Sequence, residues 1–159
     1  MENEEIKNNE EVKELAVIKS RAETENGAII STETTIQDKK EIFNIENGEC
    51  DIKLNDIVGQ EIEITDVFMK RIVSKLKEEE IEINEQTGEI VKDTKISVIT
   101  ILLDKNNKKY VTASKIFAMS ILNLIRTFGI EDLQKGIKIR IIKKSVSGSN
   151  NKALGFELV

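Results

Sequence analysis

A mainly β domain with one long helix between its third and fourth strands is what this sequence predicts. Three observations predict it. Residues 95–103, K-I-S-V-I-T-I-L-L, are dominated by the β-branched and aliphatic side chains that suit a pleated surface. Within residues 114–129, Phe117, Ile121, Leu124, Ile125 and Phe128 recur every three or four positions and so share one helical face. Residues 138–144, K-I-R-I-I-K-K, set Ile139 and Ile141 against Lys138 and Arg140, the alternation of a strand with one apolar and one cationic side.

Residues 94–129 form the unit around which the rest is arranged. The first strand is followed by Asp104-Lys105-Asn106-Asn107, a turn cluster, because Asn and Asp tolerate left-handed backbone and bond their own chain. Residues 108–113 read as the returning strand. Ser114 precedes an apolar run and predicts a helix cap. Ile116, Met119 and Leu122 widen the apolar face, as in a helix covered on more than one side. Gly129 predicts the helix end, since glycine adopts the left-handed stop at little cost.

Before that unit, residues 1–14 carry six acids, two lysines and three asparagines, the composition of a disordered acidic arm. Leu15-Ala16-Val17-Ile18 fits a strand or a helical turn. Residues 27–32 read as a strand start. Residues 35–46 fit either a helix capped by Thr35, with Ile42 and Phe43 inward, or a strand. Residues 47–51 are a turn, and 54–58 add a helical turn before Gly59. Residues 60–75 are a long strand signal. Ile62 and Ile64 alternate, and the pattern then slips near Asp66, where Val67, Phe68 and Met69 are consecutive; a bulge makes such a slip. Residues 76–93 read as a long hairpin connection with Thr87-Gly88 at its tip.

After the helix, residues 130–136 read as a short connection. Residues 145–151, S-V-S-G-S-N-N, form a loop by composition. Residues 152–159 close the chain as a strand with Leu154, Phe156 and Leu158 facing one way. The division expected is an acidic arm at 1–14, an N-terminal extension at 15–58 packed on the main domain, and the main domain at 59–159.

Composition narrows the function classes. The 159 residues are 39% apolar and 33% charged, enough for one core and a soluble surface. No apolar run approaches the ~18 residues of a membrane span, and the acidic N-terminus has no signal core, so the expected location is the cytoplasm. The single cysteine, Cys50, has no internal disulfide partner. The chain has no histidine, no cysteine pair for zinc, and no phosphate-cradling pattern among its eight glycines. Glu78-Glu79-Glu80 reads as a solvated charge run. These absences argue against an enzyme and against a cofactor. The net charge of −5 conceals polarity: residues 105–159 hold eleven basic and three acidic side chains, a balance of +8, which leaves −13 for residues 1–104. Such a chain can present a basic face.

The order strand, strand, strand, helix, strand, strand matches the OB-fold, a five-stranded barrel with its helix between strands three and four. The sequence also resembles the single-stranded DNA-binding proteins of bacterial phages and plasmids. The residues that carry the resemblance are G-Q-E-I-E-I-T-D-V at 59–67, K-K-Y-V-T-A-S-K at 108–115, I-R-T-F-G at 125–129 and the K-I-R-I-I-K-K strand. It covers about residues 28–159. One departure is plain: many such proteins carry an acidic tail at the C-terminus, whereas here the acidic segment is N-terminal.

The resemblance implies a sequence-tolerant binder that protects single strands during replication or recombination of a phage or plasmid, in the bacterial host cytoplasm. Such binders combine a cationic groove with stacking aromatics. The residues expected to supply them are Phe68, Lys70 and Arg71 on the first barrel strand; Lys108, Lys109 and Tyr110 on the hairpin; and Arg140, Lys143, Lys144 and Lys152 on the last two strands. Single-stranded DNA is the expected partner. The acidic arm is a candidate contact for replication or recombination proteins, and a homo-oligomer is left open. The competing reading is a barrel-like interaction or assembly module that binds no nucleic acid.

Overall fold

The strand signals condense into one sheet, seen in a computed structural model that describes residues 18–25, 27–92, 94–145 and 151–159. The acidic arm expected at 1–14 lies outside the described residues, as do most of residues 145–151. In chain order the elements are β1 (Ile18–Glu23), β2 (Ile29–Thr34), α1 (Lys39–Asn47), β3 (Ile52–Lys53), a 3-10 turn (Leu54–Ile57), β4 (Glu61–Lys75), a second 3-10 turn (Glu78–Glu80), β5 (Glu82–Ile83), β6 (Ile90–Lys92), β7 (Thr94–Asp104), β8 (Lys109–Thr112), α2 (Lys115–Lys135), β9 (Ile137–Ser145) and β10 (Lys152–Leu158). The protein is mainly β, and β4, β7, β8, α2, β9 and β10 follow the expected order.

Eight strands form a mixed sheet along β1-β2-β4-β7-β8-β3, with β9 on β4 and β10 on β9; β5 and β6 make a separate two-stranded ribbon. Among the described residues only the β3–β8 pairing is parallel within the large sheet. The sheet is not closed into a five-stranded barrel, which corrects the expectation. The reason lies in β4. Its fifteen residues span about 50 Å. Ile64 pairs with Asp104 of β7 and with Ile137 of β9, so β7 and β9 take opposite edges of β4. Beyond Ile64 the edge used by β9 passes to β2, which pairs from Thr34↔Phe68 to Ile29↔Val73. The far edge of β8 is taken by β3 rather than by β10. The N-terminal segment therefore supplies strands to the sheet instead of merely covering it.

The handover on β4 occurs at a register shift between Ile64 and Asp66. This is the bulge the slipped alternation predicts. The run Val67-Phe68-Met69 has a second cause: both sheet faces are covered there. Val67 and Met69 join Leu102, Phe117, Ile121, Ile139 and Phe156 in the main core under α2. Phe68 points the other way, into a smaller core with Ile36, Ile45, Ile101 and Leu103 under α1.

The helix ends show how sequence sets local structure. The Ser114 hydroxyl accepts from the Phe117 amide at 3.1 Å and caps α2. Asp38, not Thr35, caps α1, accepting from Lys40 N at 2.9 Å. On α1, Ile42 packs inward while Phe43 is 64% exposed. Gly129 has φ 81 but does not end α2. It kinks the helix, which resumes through the stretch expected to be a connection and stops at Gly136, φ 107. The added turn carries Leu133 into the core. Phe128, on the predicted core face, lies just before the kink and is left 38% exposed. Leu158, expected inward, is exposed as well.

Candidate nucleic-acid interface

The cations foreseen on the hairpin and on the last two strands are brought to one region by β3 and the 3-10 turn after it. Asp51 clamps the outer edge of β8 with two hydrogen bonds. Its amide donates to the Lys109 carbonyl at 3.0 Å, and its Oδ2 accepts from the Lys109 amide at 2.8 Å. Ile52 and Lys53 then pair in parallel with Tyr110 and Val111. Two residues on, Asn55 Oδ1 accepts from Lys143 Nζ at 3.0 Å. A short segment thus ties the β7–β8 hairpin to the β9–β10 hairpin, with Lys53 exposed between them. Lys53 is the cation that the sequence reading missed. A two-residue strand beside a turn has no periodicity to mark it.

The β9–β10 hairpin holds most of the rest. Lys143 donates to a neutral amide and so keeps its charge available. Lys144 crosses the backbone of Gly155, where a Cβ would meet its methylenes at 2.8–3.0 Å, and brings Nζ to 6.0 Å from the centroid of the Phe156 ring. Lys152 is exposed opposite Ser145 at the hairpin end. Lys108 is exposed in the β7–β8 turn.

Arg140 is differently placed. Its two terminal nitrogens reach Glu61 Oε1 at 2.8 Å and Glu157 Oε1 at 2.9 Å, stitching β4, β9 and β10 together. Hydrogen bonds to Glu157 and Glu61 push its pKa up. A guanidinium already facing two carboxylates offers little net field to a phosphate.

The first-strand residues do not converge. Lys70 faces α1 and pairs with Glu46 at 3.5 Å. Arg71 faces the opposite side of the sheet. It lines a cavity of about 290 Å³ between the β2–β4–β7 wing and α2, with Glu33, Met69, Lys115 and Met119.

Both rings expected to stack are withdrawn from the surface, which corrects that expectation. Phe68 is 1% exposed, because α1 closes over its face of the sheet. Tyr110 is 6% exposed in the main core, because its register on β8 points inward beside Leu102. Its hydroxyl donates to Asp104 Oδ2 at 3.1 Å. Burial, then that hydrogen bond, push the Tyr110 pKa up. The rings with open surface are Phe43 and Phe128.

Among the described residues no group of three or more His, Cys, Asp or Glu side chains could hold a metal ion. Burial pushes the Cys50 thiol up, with Lys109 pulling it partly back, so Cys50 is a poor nucleophile. Among the same residues no helix is long and apolar enough to cross a membrane. No protein family, curated protein or solved structure matches this chain significantly.

Proposed function

We propose that this protein is a non-enzymatic, sequence-tolerant binder of single-stranded DNA that protects exposed strands in replication or recombination of a phage or plasmid. In this reading its sheet is an opened OB-fold in which β4, β7, β8, β9 and β10 play the five strands. The observation that carries the proposal is the linked cationic rim. Lys108 and Lys109 on one hairpin, Lys53 on the connecting segment, and Lys143, Lys144 and Lys152 on the other hairpin follow one tied path. A chain of lysines without a protruding recognition helix suits a phosphate backbone better than a duplex groove. With Phe68 and Tyr110 buried, affinity leans on charge.

The test is fluorescence anisotropy with a labelled oligo-dT and with a duplex of equal length in the same salt. Tighter binding of the single strand supports the proposal; equal affinity for both forms overturns it. The burial of the two expected stacking rings favours one other reading, an assembly module that binds no nucleic acid. Self-association in sedimentation, with no binding of either oligonucleotide, would be its signature.

A further inference from the structure

The loss of Tyr110 and Phe68 as platforms leaves a single-strand binder without a stacking residue, unless another ring serves. We propose that the shelf at the α2 kink, built around Phe128, is a base-stacking subsite for single-stranded DNA. The proposal rests on the single-strand reading above.

The shelf is a shallow recess of about 320 Å³ where α2, in the two turns before its kink, runs beside β9 and β10. Phe128, Leu124, Phe156 and Leu158 give it an apolar floor, and Lys144 stands at its rim. Phe128 immediately precedes the kink at Gly129. The φ of 81 there breaks the helical periodicity just after Phe128, which is 38% exposed. Phe156 lies beneath and is held edge-on by Phe117, with centroids 5.3 Å apart.

Three properties match one nucleotide. An exposed ring face offers stacking to any base. The ammonium of Lys144 is not free to wander. Its methylenes lie across Gly155, and the charge sits 6.0 Å from the Phe156 centroid, within reach of a phosphate attached to a base on the shelf. The side chain of Asn123 lines the same recess and makes no hydrogen bond among the described residues. An amide both donates and accepts, so it can meet the edge of any base without choosing one. The hydroxyls of Ser120 and Thr127 already donate to the Ile116 and Asn123 carbonyls and keep only acceptor capacity. A cationic rim argues for an anionic polymer as occupant rather than an apolar peptide, and Lys143 and Lys152 continue the charge along the same hairpin.

The chain has no tryptophan, which provides a direct readout. Phe128→Trp places a single indole on the shelf, and Phe43→Trp places one on α1, over the opposite face of the sheet. Each is titrated with unlabelled oligo-dT, beside anisotropy of wild type and Phe128→Leu. Expected are strong quenching at position 128 with near-wild-type affinity, little quenching at 43, and a loss of roughly 5- to 100-fold for Phe128→Leu at unchanged melting temperature. Wild-type binding with an unquenched indole at 128 overturns the shelf and leaves the single-strand reading standing. A wild-type protein that binds no oligonucleotide overturns both. If Phe128→Leu is unstable, the quenching at 128 still decides.

Discussion

The Tyr110 hydroxyl donates to Oδ2 of Asp104 at 3.1 Å, across the turn that joins β7 to β8. The other carboxylate oxygen of Asp104 accepts from the amides of Asn106 and Lys108 at 2.8 and 3.0 Å. One aspartate therefore fixes the turn and anchors a core ring. Tyr110→Ala is expected to cost about 3 kcal/mol through the cavity it leaves. Tyr110→Phe should cost about 1 kcal/mol, because Asp104 is partly exposed and water replaces the lost partner. Urea denaturation at neutral pH measures both. A melting curve for Tyr110→Ala that overlies wild type would show that the ring does not pack as described.

Alkaline pH should weaken the fold through the same residue. The Tyr110 pKa is raised in the fold from 10.0. The unfolded chain therefore ionises first, and the stabilisation is fully present below about pH 10 and lost as pH rises toward the folded value. Cys50, raised from 9.0, adds a loss that begins lower. Tyr110→Phe should remove the upper part of the decline and leave the lower part. The protein has one tyrosine and no tryptophan, so tyrosinate absorbance follows this group alone. A titration centred below 10 in the folded protein contradicts the burial.

Two threonines should respond to the same substitution with opposite signs. Thr35 Oγ1 donates to Asp66 Oδ1 at 2.9 Å and accepts from the Val67 amide at 2.9 Å. It fills the place on β4 where β9 stops and β2 begins, and Gln134 Nε2 reaches Asp66 Oδ1 at 3.1 Å from the end of α2. Thr35→Val leaves a buried amide unpaired and should cost about 1–3 kcal/mol. The hydroxyl of Thr100 is buried and makes no hydrogen bond among the described residues. Thr100→Val removes that desolvated group at constant shape and should stabilise by about 1 kcal/mol. Differential scanning calorimetry of the two variants settles the signs.

What was legible followed from periodicity and end signals. The Ser114 cap, the turn at Asp104 and the strand of residues 95–103 depend on neighbours in sequence, and all three appear where the residues place them. The slip at Val67-Phe68-Met69 was visible, but its meaning was not. Sequence cannot tell a bulge from a strand covered on both faces, and here both are present. That ambiguity misplaced Phe68. The sheet path was hidden for a related reason: β2 and β9 share an edge of β4 through residues about a hundred positions apart. Tyr110 next to two lysines looked exposed, yet on a four-residue strand its register alone sends it inward. Phe128 fitted the core periodicity, which a kink at the next residue interrupts.

Glycine substitutions separate the kink from the stop. Gly129 (φ 81, ψ 164) and Gly136 (φ 107, ψ 122) both lie outside the left-handed helical region in backbone that side chains rarely adopt, at a strain of about 1–3 kcal/mol for alanine. A Cβ at Gly129 meets nothing within 4 Å, whereas one at Gly136 collides with the Glu63 side chain. Gly129→Ala should therefore lower stability by about 1–3 kcal/mol, and Gly136→Ala by more. Equal losses in chemical denaturation would mean that Glu63 moves aside freely.

The salt dependence of binding should distinguish paired from unpaired cations on one hairpin. Each phosphate neutralised on a single strand contributes about 0.7 to the slope of log affinity against log salt. Lys144 is held over Phe156 by its passage across Gly155 and faces no carboxylate at ion-pair distance among the described residues. Among the described residues Lys143 bonds only the neutral Asn55. Alanine at either position should flatten the slope by about 0.7. Arg140 is bonded to Glu61 and Glu157, so Arg140→Ala removes one positive charge and exposes two negative ones. Affinity should fall at low salt and the slope flatten with it, because the freed carboxylates repel the strand and salt screens that repulsion. The triple change Arg140→Ala with Glu61→Gln and Glu157→Gln takes away that repulsion and should restore affinity. If the triple variant keeps a slope as flat as that of Lys144→Ala, then Arg140 leaves its carboxylates to meet phosphate, and the paired geometry is not the one that binds.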